Sequence, residues 1–157
     1  MLGKFFKKPS AENSDRVPPG QHLAKGFPVL TYGDTPQITT DNWQFRVWGL
    51  ATPMTFTWSD FMALPHHQFT KDFHCVTRWS KLDVQWTGIK INDFMKLIEV
   101  DAKATHVMQH CYGDYTTNLS LEDFVREDNF FAFELLGNPL DAEHGGPMRS
   151  VIKNLGL

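Results

Sequence analysis

Three short segments of the sequence concentrate side chains able to do chemistry. In Asp72-Phe73-His74-Cys75-Val76-Thr77-Arg78-Trp79-Ser80 a cysteine stands beside a histidine and close to an arginine. Positive neighbours stabilise a thiolate, which is both a nucleophile and a soft metal ligand. A free cysteine is otherwise a small buried hydrophobe, and composition alone leaves both readings open. In Asp141-Ala142-Glu143-His144-Gly145-Gly146-Pro147-Met148-Arg149 the glycines let backbone approach a ligand, Pro147 stiffens the turn, and His144 and Arg149 supply donors suited to phosphate or a polar heterocycle. A plain glycine-rich turn accounts for the same glycines and proline, and no Walker or dinucleotide-binding loop is matched. The third segment, Tyr112-Gly113-Asp114-Tyr115-Thr116-Thr117-Asn118, packs two phenols and small polar side chains around a turn glycine. Tyr115 can donate to an oxyanion there, although an ordinary hairpin uses Gly113 and Asp114 in the same way. Just upstream, His106, His110 and Cys111 have a spacing that could offer zinc three ligands from a helix. On a strand Cys111 points away from the two histidines, and half of a tetrahedral site is missing.

These segments need a scaffold, and 157 residues suit one domain. A mobile arm is expected over residues 1–20, ending in Val17-Pro18-Pro19-Gly20, and the domain proper over 21–157. A chain of this size buries enough surface to fold without disulfides, and Cys75 and Cys111 are too few for a disulfide framework. The formal charge of -3 argues against a nucleic-acid binder, which needs a concentrated basic face. No membrane span is present, and MLGKFFKKPS lacks the apolar run of a signal peptide, so a cytoplasmic location is expected.

Trp43, Phe45 and Val47 alternate with polar residues and predict a half-buried strand ending at Gly49. Thr57 and Asp60 form a capping box ahead of a short helix from Trp58 to Leu64, stopped by Pro65. A strand is expected from Gln68 through Val76, and a helix capped by Asn92 carrying Phe94, Met95, Leu97 and Ile98 on one face. Thr105 to Cys111 reads as a strand, Ser120 and Asp123 as a second capping signature, and Asn129 to Leu136 as a buried strand closed by a Gly137-Asn138-Pro139 turn. Strands with brief helices between them give an α+β class.

Phe27-Pro28-Val29-Leu30, the His74 to Ser80 block, Tyr115-Thr116-Thr117-Asn118 and His144-Gly145-Gly146-Pro147-Met148-Arg149, in this order, resemble the sulfite-oxidase-like molybdopterin oxidoreductases. The resemblance runs from about Pro18 to Arg149 and is to the small, soluble, haem-free branch. It implies the sulfite oxidase molybdopterin-binding fold of mixed sheets and short helices. It also implies a molybdenum held by the two sulfurs of a pyranopterin dithiolene and one protein cysteine, for which Cys75 is the matching position. His144 and Arg149 then reach the pterin and its phosphate. Tyr115 matches a tyrosine near the metal and would orient substrate or deliver a proton. His74 and Arg78 flank the metal ligand, and Thr31 faces the pterin. The implied reaction is a two-electron or oxygen-atom transfer on a small oxyanion, sulfoxide or N-oxide. With no haem, flavin or nicotinamide fingerprint, a separate electron-transfer partner is expected.

The family continues past this point with a further strand and a lysine that holds the cofactor phosphate. Here the sequence stops at Leu157 and Lys153 is not at the matching place, so the chain reads as C-terminally truncated. Weaker cofactor retention and an unpartnered sheet edge follow as expectations. The alternative is a non-catalytic relative acting as a binding or interaction module.

Overall fold

The computed structural model describes residues 6–7 and 15–153. In chain order the strands are β1 (Phe6–Lys7), β2 (His22–Ala24), β3 (Gln44–Val47), β4 (Met54–Thr57), β5 (His67–His74), β6 (Trp79–Lys90), β7 (His106–His110), β8 (Thr116–Ser120), β9 (Phe130–Leu135), β10 (Asn138–Pro139) and β11 (Arg149–Val151). Short helices α1 (Trp58–Met62), α2 (Ile91–Met95) and α3 (Leu121–Phe124) follow β4, β6 and β8. The architecture is α+β with mixed sheets, as the sequence leads one to expect.

The long strand β6 organises the larger sheet. β5 runs antiparallel to it from His67↔Gly88 to His74↔Ser80. β2 lies parallel to its start, and β9 antiparallel to its end. β9 in turn carries β10 and β11. Two separate hairpins, β3 with β4 and β7 with β8, complete the fold.

β9 is buried on both faces, so its run Phe130-Phe131-Ala132-Phe133 serves two cores in alternation. Phe131 and Phe133 join Trp43, Phe56, Phe61, Ile89 and Phe94 on the hairpin and helix side. Phe130 and Ala132 join Val84, Trp86, Leu140 and Val151 on the other, where Phe27, Phe69 and Phe73 also pack.

The caps on α1 and α3 form as expected: the Thr57 hydroxyl accepts from the Asp60 N–H, and Asp60 accepts from the Thr57 N–H, while the Ser120 hydroxyl accepts from the Asp123 N–H. Asn92 does not cap α2. The helix starts two residues earlier, with Lys90 at the cap position and no side-chain bond, because Ile91 drops straight from β6 into the core. The strand expected through Val76 ends at His74, since Cys75 opens a turn.

Residues 1–5 and 8–14 of the expected N-terminal arm lie outside the described residues. Phe6–Lys7 pairs with β2, and within 15–20 Val17 is buried and Arg16 forks between Asp72 and Asp83 at 2.6 and 2.7 Å. Lys153 is bound to Asp128 through its ammonium.

Candidate functional site

Cys75 begins the tight turn that joins β5 to β6. Its N–H donates to the Trp79 carbonyl at 2.9 Å, and its own carbonyl accepts from the Arg78 N–H at 3.0 Å. Arg78 takes a left-handed φ of 71° to close the turn, which leaves its side chain exposed and without a hydrogen bond or ion pair among the described residues. The chain just before β2 braces the same turn, with Gln21 Nε2 donating to the Cys75 carbonyl at 3.0 Å. The Gln21 amide oxygen accepts from the buried Ser80 hydroxyl, which contacts His74 Nδ1 at 2.8 Å. His74 is thus tied into the brace. Cys75 itself is buried, and its Sγ accepts a hydrogen bond from the Thr77 hydroxyl at 3.1 Å.

The second segment folds as a single 3-10 turn, Ala142–His144, followed by Gly145 at a φ of 92°. A Cβ on Gly146 would lie 2.0 Å from the Leu140 carbonyl oxygen and 2.6 Å from that of Asp141, so this glycine is needed for the loop to close on itself. His144 Nδ1 meets the Asp141 carboxylate at 2.8 Å, and Nε2 meets the Phe27 carbonyl at 3.0 Å. Both ring nitrogens are engaged within the protein. In this geometry His144 fixes the loop that carries Arg149 and offers no free nitrogen to a ligand.

Arg149 begins β11. Its Nη1 donates to the His144 carbonyl at 3.1 Å, and its guanidinium lies 5.9 Å from the Trp86 ring centre. Among the described residues it has no carboxylate partner. Burial holds its pKa below the usual arginine value, against the opposing pull of Cys75 and Cys111. Burial pushes the Cys111 thiol up, while the Arg149 charge pulls it down. Arg149 is therefore coupled by its charge to both cysteines, and its remaining N–H donors make no hydrogen bond among the described residues.

Cys111 closes the β7–β8 hairpin by donating its N–H to the Tyr115 carbonyl at 2.9 Å. Tyr115 is exposed and meets the Tyr32 ring in a tilted contact, centroids 5.4 Å apart, next to the exposed Thr31. Thr31 makes no hydrogen bond among the described residues. Phe27, at the start of that segment, sits at 5.5 Å from His144 and 5.2 Å from Trp79. Phe27 thus touches both Trp79 and His144, Tyr32 touches Tyr115, and the charge of Arg149 is felt at Cys75 and Cys111. The first two segments are bridged by Phe27, and the side chains of Arg78 and Thr31 are exposed. His106, His110 and Cys111 form no three-ligand group, and no such group of His, Cys, Asp or Glu occurs among the described residues.

Comparison with known proteins gives the family. The model of the oxidoreductase molybdopterin-binding domain matches residues 32–156. The chain belongs to this family. It is 39% identical over 153 residues to the uncharacterized oxidoreductase YuiH of Bacillus subtilis (strain 168), an alignment covering 96% of this chain and 77% of that one. The fold is similar, with a TM-score of 0.67, to the sulfane dehydrogenase SoxCD from Paracoccus pantotrophus. That match is 16% identical and covers 77% of this chain and 36% of the other, so it bears on the fold alone. The sulfite-oxidase-like molybdopterin family expected from the motifs is the family found, and its cofactor is molybdopterin.

The residues present fit that group. A buried sulfur suits a soft metal, and a desolvated guanidinium with unspent donors and no acidic partner suits a phosphate. The indole N–H groups of Trp79 and Trp86 and Nε2 of Gln109 are also buried without a hydrogen-bond partner among the described residues. Such groups cost stability unless something accepts from them. Sequence reasoning missed Gln21, Ser80 and the role of Cys111 beside Arg149. Thr77 lay inside a recognised motif, but nothing in a linear string announces a hydroxyl aimed at a sulfur.

Proposed function

We propose that this domain is a molybdopterin-dependent oxidoreductase acting on a small oxyanion, sulfoxide or N-oxide by two-electron or oxygen-atom transfer. Family membership supports the oxidoreductase class. The observation that carries the site is Arg149, desolvated, without a carboxylate partner among the described residues, and coupled by its charge to Cys75. Cys75 is the protein ligand to the metal, presented by a turn whose backbone is held on both sides. Arg149 takes the cofactor phosphate in its free N–H fork, and His144 locks the loop behind it. The bound cofactor supplies the two-electron chemistry. Tyr115, half exposed at the hairpin tip, orients substrate or moves a proton through its hydroxyl. Arg78, with no partner of its own among the described residues, draws an anion toward the turn. His74 acts through the brace on Cys75, and Thr31 borders the cofactor side.

Electrons pass to or from a separate protein or small carrier, and the reaction takes place in the cytoplasm. No helix among the described residues is long and apolar enough to cross a membrane. The test is metal and pterin analysis of protein made in a cofactor-competent host, wild type beside Cys75→Ser. Stoichiometric molybdenum in the wild type and its loss in the variant are expected. A wild type carrying neither molybdenum nor pterin would defeat the reading.

A further inference from the structure

Among the described residues Cys75 Sγ accepts one hydrogen bond, from the hydroxyl of Thr77 two residues on, at 3.1 Å. The geometry is not accidental to a loose loop. Both backbone polar groups of Cys75 are engaged, by Trp79, Arg78 and Gln21, so the sulfur is presented at a fixed point of the turn. The Gln21 amide is itself oriented by the fully buried Ser80, and Ser80 by contact with His74. Thr77 and Val76 are exposed, so no core packing asks for a hydroxyl at position 77.

We propose that Thr77 is a positioning residue that sets the reduction potential of the bound metal through its hydrogen bond to the Cys75 sulfur. This rests on Cys75 being the metal's protein ligand. A hydrogen bond donated to a ligating sulfur withdraws electron density from it, so the sulfur donates less to the metal and the electron-rich, reduced state is favoured. Removing the donor lowers the potential. Partners hydrogen-bonded to a metal's ligands change affinity or activity by about 10–100-fold. The lower end of that range, applied to the reduction equilibrium, is about 59 mV for a one-electron couple.

The experiment uses protein made in a cofactor-competent host and compares wild type, Thr77→Val, Thr77→Ser and Cys75→Ser. Molybdenum content is measured first. Midpoint potentials are then read by spectroelectrochemistry and by electron paramagnetic resonance at a series of poised potentials. Thr77→Val, which keeps the shape and drops the hydroxyl, is expected to hold molybdenum at a potential lower by the amount above, and Thr77→Ser to restore the wild-type value. Loss of molybdenum from Thr77→Val alone overturns the inference, because the hydroxyl is then needed to hold the metal rather than to set its potential. An unchanged potential in Thr77→Val overturns it, as does loss of molybdenum from both Thr77 variants, which makes the residue a structural part of the turn. Retention of molybdenum with an unaltered spectrum in Cys75→Ser is a different failure, and it removes the ligand reading itself.

Discussion

Replacing Arg149 by methionine separates a charge kept for a ligand from a charge kept for the fold. In the apo protein this guanidinium contributes one hydrogen bond, to the His144 carbonyl at 3.1 Å, and a long contact with Trp86 at 5.9 Å. Together these are worth about 2–3 kcal/mol, counting a hydrogen bond from a charged donor and a cation–π contact at the weak end. Against them stands the desolvation of an ion with no carboxylate partner among the described residues, a penalty of several kcal/mol in a protein interior. Methionine keeps most of the volume and adds apolar burial over Trp86. The balance predicts an apo variant more stable than wild type by about 1 kcal/mol, or about 2–4 °C in Tm for a domain of this size. The same variant should retain little molybdopterin, since phosphate loses its planar fork of donors. Urea and thermal melts of apo protein, beside pterin analysis of loaded protein, read the two effects separately. An apo variant destabilised by more than about 1 kcal/mol refutes the reasoning, because the charge is then holding the fold together.

Gly146→Ala places a methyl 2.0 Å from the Leu140 carbonyl oxygen, a backbone atom that cannot rotate aside. A loss of about 3 kcal/mol is expected from overpacking, with reduced cofactor retention. Gly137→Ala, which meets nothing within 4 Å but sits at a φ of 79°, should cost about 1–2 kcal/mol, and urea melts distinguish the two. The hydrogen bonds from Arg16 hold the Asp72 carboxyl below its ordinary value of 3.8, against some desolvation. A depressed pKa in the folded state means that this stabilisation is complete above the ordinary value and disappears as pH falls through the lower, folded one. The pair is partly exposed, so the effect is small, and Arg16→Met should flatten that part of the acid stability profile, as read by urea melts across the acid range.

Local signals in the sequence were read reliably where short-range chemistry decides the structure. The Thr57 and Ser120 caps, the alternation at Trp43 to Val47 and the Phe-rich β9 all depend on neighbours a few positions away. β6 was not legible. Its register slips beside Thr87 and Gly88, Asp83 stands at a left-handed φ of 53°, and its burial is set by β5, β2 and β9 rather than by its own period. The candidate site divides the same way. Cys75 and Arg149 stood out by type and by motif. Gln21 and Ser80 did not, because their value comes from a fold that brings residues 54 and 59 positions apart into hydrogen-bond distance. The expectation for His144 needed the structure as well: only there do both ring nitrogens prove to be taken.

The Phe27 carbonyl and the His144 ring meet across 117 positions of chain. During synthesis the Cys75 hairpin therefore leaves the ribosome well before the strand bearing Arg149, and the hairpin can close first because its contacts are local. The proposed anion-binding half of the site comes into being only when β11 docks on β9. On the proposed reading, a nascent chain can present its sulfur early but cannot grip a phosphate until Arg149 has been added and β11 has docked, which orders cofactor loading after the closing of the Cys75 hairpin.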